Sequence, residues 1–191
     1  MYELTEENRQ QLMMRSTECL DDVSPIQHKI KLARKLHIKW EVAIRQDPDI
    51  NSLLRKLKRF IKISQQAMHA FGVADACKRC DEEEGGSCCG AGLENKFDVL
   101  LLLMNLLLGV SLPNDRLRPG SCYLLTETGC MLKVRLVLCV DFLCPKIVNA
   151  LTHDQLIKLQ TVSGDELVTS FILYDAIKKF IRRSAWYSVS S

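Results

Sequence analysis

The chain has 191 residues, 47% of them hydrophobic, with a formal net charge of +3; this supplies a core for one soluble domain with an N-terminal extension, and excludes a highly charged disordered polymer. The opening MYELTEENRQ lacks the charged-then-apolar layout of a signal peptide, and the longest apolar run, Val99 to Leu108, is interrupted by Asn105 and too short for a bilayer span. A cytoplasmic chain with reduced thiols and no membrane span is expected.

Residues 1–24 are polar, with an amphipathic stretch around Leu12, Met13 and Cys19. Ser24-Pro25 predicts a helix start, and Ile26, Ile30, Ala33, His37, Trp40 and Ile44 recur at the spacing of one helical face until Asp47-Pro48 interrupts it. A second helix is predicted from about Asp49, with Ile50, Leu53, Leu57, Phe60, Ser64, Ala67 and Phe71 on its buried stripe, making an antiparallel hairpin. Ile26 to Phe71 carries eleven Lys or Arg against Glu41, Asp47 and Asp49, so the basic character is local. Its basic face comprises Lys29, Lys31, Arg34, Lys35 and Lys39, continued by Arg55, Lys56, Lys58, Arg59 and Lys62. That face could meet an acidic protein partner; the lack of interleaved aromatic residues argues against nucleic acid.

From Cys77 to Gly92 the glycines Gly85, Gly86, Gly90 and Gly92 predict a tight loop, with Asp81 to Glu84 as a solvated acidic run. Leu93 to Leu108 reads as a helix buried on most sides and stopped by Gly109. The runs YLL and MLKVRLVL, separated by Thr126 to Gly129, predict a β-hairpin in which Leu132, Val134, Leu136 and Leu138 face the core. Thr152-x-x-Gln155 and Ser163-x-x-Glu166 both read as capping boxes, giving a short helix near 153–160 and a longer one over about 164–183. The expected fold is mainly α (α+β): a helical core with a small Cys-rich β-hairpin and loop lobe. It divides into a basic helical hairpin (1–72), a Cys-rich region with a buried central helix (73–150), and C-terminal helices packing on the same core (151–191).

Eight of the nine cysteines lie between residues 77 and 144, as Cys77, Cys80, Cys88, Cys89, Cys122, Cys130, Cys139 and Cys144. Thiolates are soft ligands, and zinc or an iron–sulfur cluster takes about four of them. Eight thiols can therefore serve two four-sulfur sites, or four can hold one centre while the others pack. Cys88 and Cys89 cannot readily point the same way from extended backbone, so the pair divides between two ions or is bent by its flanking glycines. A disulfide framework is the competing use, disfavoured by the expected reducing compartment. His28, His37, His69 and His153 lack paired ligand spacing; His69 is the one that could act as a remote ligand, and Cys19 reads as a buried thiol.

In layout the chain resembles the zinc- or iron-chelating, YkgJ-like cysteine-cluster family, which includes flagellin lysine N-methylase. The resemblance covers roughly residues 77–145: Cys77 and Cys80, Cys88-Cys89, Cys122-Tyr-Leu-Leu125, Gly129-Cys130, Arg135, and Cys139 with Cys144-Pro145. Leu136 stands where the family commonly has proline, and Asp81 to Ser87 is inserted. The resemblance implies a metal ion or cluster and, as an alternative, a metal-dependent protein-modifying enzyme. No S-adenosylmethionine motif accompanies it, since the chain lacks a glycine-rich strand-to-helix loop.

Overall fold

A computed structural model of the chain describes residues 25–83 and 88–189, excluding the side chains of residues 82–83 and 185–189. Cys19, the amphipathic stretch near Leu12, Glu84 and the glycine pair Gly85-Gly86 lie outside the described residues.

Pro25, with its fixed φ, precedes α1 (Ile26–Gln46), which buries Ile26, Ile30, Ala33 and Ile44, while His37 and Trp40 are half-buried. Asp47 ends α1 and caps α2 (Pro48–Ala70): its carboxylate accepts the N–H groups of Asp49 (3.1 Å) and Ile50 (3.0 Å). Asp47→Ala should lower stability by about 1 kcal/mol, read as a shift of the urea midpoint without a change of slope. The buried stripe of α2 runs through Ile50, Leu54, Leu57, Ile61, Ser64, Ala67 and Met68, displaced by one residue from the predicted Leu53 and Phe60. Both predicted and observed residues satisfy helical spacing; contact with the C-terminal helix decides which line faces inward.

Two residues of the expected basic face serve the fold instead. Lys29 is buried and donates to the Asn95 carbonyl (2.9 Å); Arg34 donates to Asn114 Oδ1 (2.7 Å) and the Leu112 carbonyl (2.6 Å).

The predicted loop from Cys77 begins as helix. α3 (Val73–Glu83) extends through the first cysteine pair, since Ala74, Ala76, Lys78 and Arg79 are strong helix formers and no glycine intervenes before residue 85. After the Cys88-Cys89 turn comes a short 3₁₀ turn, Leu93–Lys96, and then α4 (Val99–Leu107), so the buried central helix starts with its apolar run at Val99 and not at the predicted Leu93. Asp98 sets that start, accepting from the Leu101 N–H at 2.8 Å. Gly109, at φ 79°, ends the helix, and Arg45 and Lys133 donate to the Leu107 and Leu108 carbonyls (2.8 and 2.7 Å).

The expected β-hairpin shrinks to two residues per strand, β1 (Leu125–Thr126) pairing antiparallel with β2 (Gly129–Cys130). Residues after β2 leave the sheet because buried Asn105 takes them: its Oδ1 accepts from Lys133 N–H (2.8 Å) and Val134 N–H (3.0 Å). Its Nδ2 donates to the carbonyls of Leu101 and Val134, both at 2.9 Å. Leu132 and Val134 are buried as expected, but Leu138 is 48% exposed because α5 (Val137–Asp141) begins there.

α6 (Pro145–Ala150) follows, and then one unbroken α7 (His153–Val189) replaces the two C-terminal helices expected. The Thr152 capping box forms, with Thr152 N–H donating to Gln155 Oε1 (2.9 Å) and Gln155 N–H to Thr152 Oγ1 (3.3 Å). Ser163 and Glu166 do not cap a helix. They are buried inside α7, on the inward line of Leu159, Ser163, Glu166, Thr169, Leu173 and Ile177.

The molecule is mainly helical, with one small two-stranded sheet among the described residues. α4 occupies the larger core, where Leu102, Leu103 and Met104 are fully covered by α1, α2, the 122–134 segment and α7. A second core gathers Ala67, Met68, Val73, Val140, Ile147 and Leu159. Among the described residues, no helix is long and apolar enough to cross a membrane.

Candidate metal centre

The clustered cysteines reach the same end of the molecule from different elements. Cys77 and Cys80 lie three apart on α3, hence on one face of that helix; Cys88 and Cys89 occupy the turn after it. That turn is fixed to a distant segment: Cys122 N–H donates to the Cys89 carbonyl (2.6 Å), Ala91 N–H to the Gly120 carbonyl (3.1 Å), and Gly90 bridges Ser121 antiparallel. Cys130 sits in β2, Cys139 in α5, and Cys144 precedes α6. None of the eight is in a disulfide; Cys122 is buried and Cys77, Cys88 and Cys130 are exposed.

Their electrostatics sort them in an order that the sequence does not follow. Cys77 is exposed as a residue, yet partial desolvation of its thiol is the largest influence raising its pKa, followed by the thiols of Cys144, Cys88 and Cys80. Burial pushes Cys89 up to about 12, with Cys130, Cys139, Cys122 and then Cys77 adding to it. Cys122 is raised by burial to about 11, with Glu94, Cys130 and Cys139 contributing, and Cys139 is raised by burial and by Cys130. Cys77, Cys80, Cys88 and Cys144 thus form one neighbourhood, and Cys89, Cys122, Cys130 and Cys139 a second. The influences of Cys77 on Cys89 and of Cys88 on Cys139 show that the two adjoin. The consecutive Cys88 and Cys89 belong to different neighbourhoods. Cys89 packs on the larger core and Cys144 on the smaller, so the thiols lie where the two cores meet.

As placed, no three or more of the described His, Cys, Asp and Glu side chains stand close enough to share one ion. The thiols are near enough to sense one another's charge, at spacings wider than ligand contact. Their chemistry, eight soft donors in two sets of four, matches what zinc or iron–sulfur centres take.

A second set of residues, without a motif in the sequence, holds this scaffold. Glu94 is 2% exposed, accepts from Gly92 N–H (2.9 Å) and is ion-paired with Arg116, whose guanidinium also donates to the Ser121 carbonyl. Arg118 pairs with Asp81 (2.7 Å), tying the segment before Cys122 to the end of α3. Burial alone would raise the Glu94 pKa, but backbone N–H bonds and Arg116 outweigh it and hold the carboxyl below the usual glutamate range. A carboxyl whose pKa is lower folded than unfolded stabilises the fold above its unfolded pKa, and that contribution disappears as pH falls through the folded value. Glu94→Gln should therefore cost about 2 kcal/mol at neutral pH, and that deficit should shrink as pH falls below the ordinary glutamate range and through the lower folded value, when its unfolding is compared with wild type.

No family model, no curated protein and no solved structure matches this chain.

Proposed function

We propose that this protein binds metal through its cysteine cluster, holding zinc ions or iron–sulfur clusters on the sets Cys77, Cys80, Cys88, Cys144 and Cys89, Cys122, Cys130, Cys139. The observation that carries this reading is the convergence of eight cysteines, none in a disulfide, from six separate parts of the chain on one junction, in two groups of four. Protonated thiols can pack together without charge repulsion; it is their thiolates that repel one another, and a bound metal ion would offset that repulsion. Since burial keeps Cys89 and Cys122 protonated at neutral pH, loading such sites releases protons, and affinity should rise with pH. The resemblance to the YkgJ-like family supports the same reading through layout alone. A role as a metal-dependent protein-modifying enzyme is a further possibility that only that resemblance raises.

Anaerobic purification followed by metal and acid-labile sulfide analysis tests the proposal. It expects about two zinc ions per chain, or iron with a matching amount of sulfide; protein containing neither after reconstitution would contradict it.

One observation favours an additional docking role: Lys31, Lys35 and Lys39 on α1 and Arg55, Lys56, Lys58, Arg59 and Lys62 on α2 remain exposed. Such a face suits an acidic protein partner. Charge reversal at Lys56, Lys58, Arg59 and Lys62 should abolish any salt-sensitive co-purification, and unchanged partners would eliminate this role.

A further inference from the structure

The charge of this chain divides at Pro25. Residues 1–24 carry Glu3, Glu6, Glu7, Glu18, Asp21 and Asp22 against Arg9 and Arg15, a balance of −4, and α1, which follows directly, opens the basic part of the chain. The outward line of α1 runs through Lys31, Lys35, Ile38, Lys39 and Val42, all exposed and spaced three or four residues apart along one face. Ile38 is 84% exposed and Val42 70%. Single exposed apolar residues are ordinary, but this pair, one turn apart and beside three lysines, makes a surface with both apolar and cationic parts. Glu41 is the only acidic residue of α1 and is paired with Arg45 (2.9 Å). Among the described residues, no carboxylate pairs with Lys31, Lys35 or Lys39.

We propose that this α1 surface is covered from within the chain, by residues 1–24 folded back at Pro25, with their carboxylates on the lysines and Leu12 and Met13 on Ile38 and Val42. This goes beyond the docking role above: it assigns the α1 cations an occupant, leaves those of α2 to a separate partner, and depends on no metal. The charges are complementary, −4 against a row of lysines. The register also matches, because Leu12 and Ile38 each lie thirteen residues from Pro25. A segment returning along α1 at the same rise per residue therefore brings Leu12 and Met13 level with Ile38, and Glu18 level with the turn between Lys31 and Lys35. Reach is ample, since α1 is about 30 Å long and 24 extended residues span up to about 80 Å. Direct attachment makes the contact intramolecular, at a high effective concentration. Exposed ion pairs alone are weak, so both the lysines and the apolar pair are needed to hold the segment in one place.

The test is amide hydrogen exchange, read by mass spectrometry, on the reduced full-length protein at low salt. Wild type is compared with the charge reversal Lys31→Glu, Lys35→Glu, Lys39→Glu and, separately, with Ile38→Asp, Val42→Asp. All five positions are exposed, so α4 should keep its wild-type protection in both variants and serve as the internal control for folding. In wild type, peptides from residues 4–22 should exchange at least about tenfold more slowly than an unstructured chain, and each variant should return them to the unstructured rate. Unstructured rates in wild type would overturn the proposal. Protection that survives either variant would overturn it too, because the segment would then be held by itself or by another surface. Carbodiimide cross-linking of an equal mixture of ¹⁵N-labelled and unlabelled protein distinguishes the same chain from a second copy. Links from Glu6 or Glu7 to Lys35 or Lys39 should join peptides of one isotope only. Links of mixed isotope in their place would show that a second copy supplies the segment, and would overturn the intramolecular cover. Neither metal content nor the partners of the α2 face enters these readouts, so the failure of those readings stays separate from the failure of this one.

Discussion

Serine at Cys88 and serine at Cys89 are expected to empty different metal sites, although the residues are consecutive. Each single substitution should remove about half of the metal bound per chain, since a four-thiol site that loses one ligand is left open or weak. Pairing substitutions within one set then adds little, whereas pairing across sets adds fully. Cys88→Ser with Cys144→Ser should still retain about half the metal, and Cys88→Ser with Cys89→Ser should retain almost none. Metal per chain and helicity at 222 nm report both arms. Cys144 is well suited to the comparison because it precedes α6 at a position where serine is a favoured helix cap, so its loss should leave the fold intact. Cys122 is less suited. It is 5% exposed within the larger core, and a buried hydroxyl there carries its own cost of about 1–3 kcal/mol. Full metal content in Cys88→Ser, or complete loss from that single change, would contradict the division into two sets.

Asn105→Leu should cost about 4 kcal/mol of folding stability, although it nearly preserves volume and adds apolar surface to an apolar helix. The side chain is fully buried and makes four hydrogen bonds, two of them accepted from the consecutive N–H groups of Lys133 and Val134. Leucine leaves those N–H groups and the Val134 carbonyl without partners in the core, at about 1–3 kcal/mol for each unsatisfied group. The Leu101 carbonyl loses less, because it keeps its helical partner. Equilibrium unfolding in urea measures the loss. A change below about 1 kcal/mol would mean that the segment between Cys130 and Cys139 is not held by Asn105. Because that segment positions two thiols, metal affinity should fall together with stability.

The long helices were legible because period and caps agree there: Pro25, Asp47 and Gly109 mark boundaries that the structure retains. The failures share a physical cause, a local pattern overridden by a distant partner. The alternation of Leu132, Val134, Leu136 and Leu138 reads as a strand, but a strand needs a neighbour, and Asn105 supplies two hydrogen bonds where a ladder would supply many. Ser163 and Glu166 match a capping box, yet they also continue the inward spacing from Leu159 to Ile177, the signal that should have prevailed. Lys29 and Arg34 read from the sequence as part of the basic face, though long side chains can turn inward to carbonyls that no sequence pattern announces. The eight candidate ligands were all identifiable from spacing, but their sorting was not. It depends on the crossing of residues 88–91 with 120–122, which sets Cys89 beside Cys122 and apart from Cys88.

The central claim, thiolate ligation of metal by this cluster, is tested most directly by X-ray absorption at the edge of the metal that the purified protein contains. Four sulfur neighbours per metal at about 2.3 Å are predicted, for zinc and for iron in clusters alike. A first shell of nitrogen and oxygen at about 2.0–2.1 Å would contradict it, because such a metal would be held by groups other than these cysteines.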